Sequence, residues 1–228
     1  GTRFSLFGYI VILLLVQVGG LGIMTLSTFF IFLISGRLGM SGREVIIDTL
    51  SQNPAVELTR LLKLIFTFTI IIELSGWIIL SLRFLRDFTP QEAFYQGLFH
   101  SVSAFCNSGF SLFSMSFMNY TNDPVVNIVL MILIILGGLG FLVIFDLYNR
   151  RSAVIRFKFS HLSLHSRVVL LSTFILITTG FILFLILEYS NSLDQLPVHG
   201  KLFASLFQSV TTRTAGFNTV PIEQLTTP

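Results

Sequence analysis

Two stretches of the sequence set a Gly-Phe pair behind a short run of small and apolar residues. These are Cys106-Asn107-Ser108-Gly109-Phe110 and Thr214-Ala215-Gly216-Phe217. Neither holds a nucleophile beside a base, a pair of carboxylates or a set of metal ligands, so the chemistry open to them is that of the main chain. A glycine-containing loop reaches crowded conformations in which successive carbonyl oxygens replace the hydration shell of a cation. On that reading Asn107, Ser108, Gly109, Phe110, Thr214, Ala215, Gly216 and Phe217 bind the ion through backbone oxygens. Substituting the two glycines then matters more than substituting their neighbours.

The remaining reactive side chains fit other roles. Cys106 is the only cysteine, so no disulfide forms within the chain and it reads as a packing residue. His100, His161 and His165 lack ligand spacing with cysteines or acids and read as surface or satisfied polar positions, with no metal other than the transported ion. Arg213 stands next to the second loop, where a bare cation would repel the ion, and reads as a brace behind it. Glu73 interrupts an apolar run near its middle, where an acid is costly and is usually paired or functional. Its partner is not legible in the sequence, and a structural hydrogen bond and an ion-path role stay equally open. The Gly-Gly-Leu-Gly segments at 19–22 and 137–140 read as close-packing surfaces between membrane helices. With no catalytic constellation at one depth, the chain is not expected to be an enzyme and needs no cofactor.

The elements that must position these loops follow from composition. Of the 228 residues, 53% are apolar and 11% charged, against about a quarter charged in a soluble domain, so lipid is the expected solvent. Apolar runs over about 4–34, 61–82, 125–147 and 168–188 each approach or exceed the roughly 20 residues that cross a bilayer. Residues 36–60 alternate charged and apolar side chains as an interfacial amphipathic linker does. Residues 148–167 hold Arg150, Arg151, Arg156, Lys158 and Arg167 and no acid, which marks a cytoplasmic loop. The net charge of +3 lies beside the apolar runs rather than on an aromatic-interleaved basic face, which excludes nucleic acid as a partner and leaves the lipid bilayer. Thr89-Pro90 followed by Gln91 and Glu92 is a helix start. The helix it opens ends at Cys106, and a second short helix over 202–212 ends before Gly216; both are too short to span and read as re-entrant.

The two half-helices are copies. Leu98-Phe99-His100-Ser101-Val102-Ser103 matches Leu206-Phe207-Gln208-Ser209-Val210-Thr211, and Gly19-Gly20-Leu21-Gly22 recurs as Gly137-Gly138-Leu139-Gly140. The repeating unit is span, pore helix, filter-like loop, span. With 36–60 and 148–167 in the cytoplasm, both loops enter from outside without forcing any span count. The expected fold is an all-α membrane protein of such units: an inner span over 1–35, the linker 36–60, a complete unit over 61–147, the basic loop 148–167, and a further unit over 168–228 that stops after its loop. An alternating-access carrier is the competing class, but inverted repeats are its usual mark and these run parallel.

Residues 103–111, 211–219 and 17–22, in that order, resemble the Trk/Ktr/HKT potassium transporters over essentially the whole chain, most like the bacterial Ktr membrane subunit. The resemblance implies four pore repeats with one filter glycine each in a full-length subunit. The chain would begin in the inner span of the first repeat and stop past the third filter. It also implies potassium uptake across the plasma (inner) membrane, with sodium dependence possible, by a homodimer of membrane subunits. A cytoplasmic nucleotide-binding regulatory subunit is implied as well, for which the basic 148–167 loop is the expected docking surface.

Overall fold

The computed structural model describes residues 6–35, 54–151 and 161–226, with side chains described at 7–22, 63–151 and 161–226. Among these residues the chain is helical and has no strand. The helices are α1 (Leu6–Ser35), α2 (Pro54–Phe84), α3 (Pro90–Phe105), α4 (Pro124–Gly138), α5 (Phe141–Asn149), α6 (Leu164–Glu188) and α7 (Val198–Thr214). Most of the expected linker, 36–53, and the middle of the basic loop, 152–160, lie outside the described residues; positions 54–60 belong to α2.

Three of the helices begin where a side chain provides local hydrogen-bond partners. Glu92 accepts from the Thr89 amide at 3.2 Å and from the Thr89 hydroxyl at 2.8 Å, with Pro90 opening α3. Asp123 accepts from the amides of Val125 and Val126 at 3.0 and 3.1 Å, with Pro124 opening α4. Ser163 does the same for α6 through the Ser166 amide at 3.2 Å.

Within α2 the buried positions Ile65, Thr69, Glu73, Gly76, Leu80 and Phe84 are spaced by three or four, with Ser81 buried beside Leu80, while Ile70, Ile71, Ile78 and Leu82 are exposed. One stripe therefore faces protein and the rest suits lipid. Along that stripe α2 packs on α3; α3 also packs on α4 and on α1, and α4 packs on α7. The short helices α3 and α7 are well enclosed, α3 being buried continuously from Phe99 to Phe105 and α7 from Phe207 to Thr211. At the expected outer end, Arg83 bonds Asp123 and pairs with Asp87 at 2.8 Å, and the Tyr120 phenol donates to Asp87 at 3.0 Å. Burial and this acidic partner raise the Tyr120 pKa, so the phenol stays protonated.

The repeat is visible in contacts as well as letters. The Ser101 hydroxyl on α3 donates to the Glu73 carbonyl on α2 at 2.7 Å, and the Ser209 hydroxyl on α7 donates to the Ile177 carbonyl on α6 at 2.7 Å. Three residues after each acceptor stands a glycine: a Cβ on Gly76 would lie 2.6 Å from the Ser101 Oγ, and one on Gly180 would lie 2.5 Å from the Ser209 Oγ. The small residue lets each pore helix approach closely enough for its serine to reach the span's backbone.

One expected element differs. The sequence reads 125–147 as a single span, whereas the structure bends by 94° between α4 and α5. Gly140 sits at the corner with φ +85°, a conformation that side chains disfavour, and Gly137 backs directly onto the Phe105 carbonyl. Lys63–Phe84 and Leu164–Glu188 are straight helices long and apolar enough to cross a membrane; α4 and α5 qualify only as one bent pair.

Because the serine bonds dock both pore helices, Ser101→Ala and Ser209→Ala are each expected to cost about 0.5–1.5 kcal/mol. Gly180→Val, which overpacks the same contact, should cost about 1–3 kcal/mol. Thermal unfolding of the detergent-solubilised full-length parent protein measures all three; an unchanged midpoint in Gly180→Val would refute the docking assignment.

Candidate functional site

The loops that follow α3 and α7 meet. Gly109 has φ +70° and Gly216 φ +83°, so both sequence-matched glycines occupy the left-handed region. A Cβ on Gly109 would collide with the Ala215 carbonyl and lie 3.4 Å from the Gly216 Cα, whereas one on Gly216 would meet nothing within 4 Å. Gly109 is thus required twice, by backbone conformation and by the approach of the second loop; Gly216 is required by conformation alone.

Side chains join the loops around this contact. The Thr214 hydroxyl donates to Asn107 Oδ1 at 2.9 Å. Asn107 itself has φ +52°, a conformation that asparagine tolerates better than most residues. Beyond the glycines, the Phe117 amide donates to the Asn218 carbonyl at 2.8 Å and the Asn218 amide to the Ser116 hydroxyl at 3.1 Å. The Phe117 and Phe217 rings stand edge to face at 5.3 Å, both fully buried.

The first loop is pinned back to its own helix. Ser103 Oγ donates to the Phe110 carbonyl at 2.6 Å, and the Ser108 amide donates to the Ser103 carbonyl at 3.0 Å. His100, fully buried, places Nδ1 at 2.9 Å from the Gln96 carbonyl, while Nε2 accepts the Leu112 amide at 3.2 Å. Since the carbonyl can only accept and the amide can only donate, the ring is the neutral Nδ1–H tautomer, and His100 is a brace.

These bonds leave specific backbone oxygens unused. Among the described residues, the carbonyls of Asn107, Ser108, Gly109, Ala215 and Gly216 accept no hydrogen bond, while that of Phe110 is taken by Ser103. Carbonyl oxygens without a protein partner, on residues that are partly exposed apart from the buried Ala215, are suited to a cation or to ordered water.

Below the loops lies a cavity of about 140 Å³ lined by Gly20, Phe105, Asn107, Gly138, Phe141 and Thr214. Gly138 at the elbow stands 3.7 Å from both Asn107 Nδ2 and Thr214 Oγ1, measured from a built Cβ. The α4–α5 bend therefore abuts the inner edge of both loops.

Of the other residues marked in the sequence, Arg213 reaches Thr173 Oγ1 on α6 at 3.4 Å. Cys106 packs against Gly20 and its thiol points to Glu73 Oε1 at 3.9 Å. Among the described residues no group of three His, Cys, Asp or Glu side chains could hold a metal. The sequence reading missed the roles of Ser103, Ser108 and Ser111. The match of Ser103 with Thr211 was a usable signal for the first, although the Thr211 hydroxyl is buried without a partner among the described residues.

Two matched units, each a span, a short docked helix and a glycine loop, thus meet at one place in a chain whose apolar helices suit a membrane protein. The chain belongs to the TrkH family of cation transport proteins, whose model matches residues 3–228. It is 40% identical to the Ktr system potassium uptake protein B of Bacillus subtilis (strain 168) over 96% of its length, and 40% identical to the protein of the same name from Vibrio alginolyticus over 100% of its length. It is 32% identical to the potassium/sodium uptake protein NtpJ of Enterococcus hirae over 96% of its length. These alignments cover 48%, 50% and 47% of the relatives, so the chain spans about half the length of the curated relatives it matches. All three are named as uptake proteins and none as an enzyme.

If the Asn107–Thr214 bond joins the loops, Asn107→Ala and Thr214→Val should be coupled by about 0.5–1.5 kcal/mol in a double-mutant cycle on the full-length protein's thermal stability. Strict additivity would mean that the two side chains do not meet.

Proposed function

We propose that this chain forms part of a potassium uptake transporter in which the ion passes between backbone carbonyls of re-entrant loops. The observation that carries the reading is the facing pair of left-handed glycines, Gly109 and Gly216, among carbonyls that accept no hydrogen bond. An ion entering such a site exchanges water oxygens for protein oxygens with little rearrangement, because Ser103, His100 and the aromatic cluster already hold the first loop. The proposed ion contacts are the carbonyls of Asn107, Ser108, Gly109, Thr214, Ala215, Gly216 and Phe217, with Phe110 contributing through its second lone pair. Further loops supplied by the longer subunit complete the ring.

The names of the relatives support potassium as the ion, and the E. hirae relative supports an involvement of sodium. The word "system" in two of those names fits a multi-component assembly. We extend it to a homodimer of membrane subunits with a cytoplasmic nucleotide-binding regulatory subunit docked near 148–167, in the plasma membrane, with the loops entering from outside.

A carrier reading has one observation in its favour, the broken span at Leu139 and Gly140, since discontinuous helices surround the substrate in many alternating-access proteins. The parallel orientation of the two serine-docked units favours the pore.

The test is potassium and sodium uptake by the parent full-length subunit in potassium-uptake-deficient cells at matched membrane abundance. Gly109→Ser and Gly216→Ser are each expected to lower potassium over sodium discrimination by about tenfold, equivalent to about 1.4 kcal/mol. Gly109→Ser should be the more severe, because its side chain also strikes Ala215. Unchanged uptake and selectivity in both variants would leave the carrier as the better account.

A further inference from the structure

The Glu73 carboxyl has a role that the repeat isolates. Its backbone carbonyl makes the Ser101 bond that docks α3, and Ile177, in the matching place of α6, makes the same bond to Ser209 with no carboxyl at all. Docking a pore helix therefore does not require the acid. Yet Glu73 is 8% exposed in the middle of a membrane span, where an acid is retained at a cost.

Its carboxyl has two partners, and neither lies on its own helix. The Gln17 side chain of α1 hydrogen bonds to it, and the Cys106 thiol points at Oε1 from 3.9 Å. Cys106 is the residue immediately before Asn107, and its other side is closed by α1, where a Cβ on Gly20 would lie 2.6 Å from Sγ. The start of the first loop is thus held between the Gln17–Gly20 face of α1 and the Glu73 carboxyl of α2. The second loop has no equivalent: Ile177 replaces the acid, and the polar contact behind that loop is made by Arg213 to Thr173 on its own span.

We propose that Glu73 is a positioning residue for ion selectivity: with Gln17 it fixes Cys106, and through it the backbone of Asn107 and Ser108, so that the geometry of the first loop is set by the preceding span α1. This rests on the pore reading. The carboxyl acts as a hydrogen-bond acceptor at a fixed point and does not meet the ion.

The experiment uses the full-length parent subunit in potassium-uptake-deficient cells, reading the ratio of sodium to potassium uptake at matched membrane abundance. Glu73→Leu and Gln17→Leu are each expected to raise that ratio by about 3- to 10-fold. The double variant should be no worse than either single, because both remove the same link. Glu73→Gln should restore a ratio close to wild type, since its amide oxygen still accepts from Gln17 and Cys106. If Glu73→Leu fails to reach the membrane, Gln17→Leu decides alone. Loss of abundance with an unchanged ratio in the Leu variants shows a merely structural acid and overturns the proposal. Gly109→Ser, run in parallel, separates the two readings: a shifted ratio there with none in the Leu variants sinks the Glu73 inference and keeps the pore, while no shift anywhere sinks both.

Discussion

A peptide carbonyl inside a bilayer needs a partner, and everything around the two loops is arranged so that a few carbonyls lack one. Helices satisfy their own backbone, and most of the described chain is helical. Between the two loops, the rings of Phe117 and Phe217 are packed edge to face and fully buried. Ser103, Ser108 and His100 occupy the donors and acceptors that would otherwise close the loop upon itself. What remains is a set of backbone oxygens with no hydrogen bond among the described residues.

Holding such a loop open is a packing problem before it is an electrostatic one. The spans contribute glycines where the pore helices must come close, at Gly76 and Gly180, and serines that convert proximity into a bond. Because these bonds run from a side chain to a backbone oxygen, they constrain position while leaving the neighbouring side chains free to differ. The two units use that freedom: one sets a carboxyl behind its loop and the other a guanidinium. Common geometry with individual bracing allows a ring of loops to be similar in shape yet unequal in stiffness.

Much of this was legible from letters alone. The spans near 61–82 and 168–188, the half-helices, the Thr89-Pro90 start and the Gly-Phe pairs follow from hydropathy length and local turn chemistry, which operate over a few residues, whereas the bend within 125–147 does not. The partner of Glu73 was not legible, because Gln17 lies 56 positions earlier and nothing in either segment refers to the other. The Asn107–Thr214 bond was hidden for the same reason, at a separation of 107 residues. The serine docking bonds were half visible: the match of Ser101 with Ser209 marked the positions, but an acceptor on the backbone carries no sequence signature.

The Gly-Gly-Leu-Gly motif shows where such reading stops. At 19–22 it lies inside the unbroken α1, and at 137–140 the chain turns through 94° at the same letters. Glycine permits both paths at modest cost and dictates neither, so the surroundings choose: the straight copy seats Cys106, while the bent copy sits under the Phe105 carbonyl. Just inside the loops the straight α1 and the bent α4–α5 line the same small cavity, so two copies of one motif give its wall two different shapes, and the space there is not a property of the repeat.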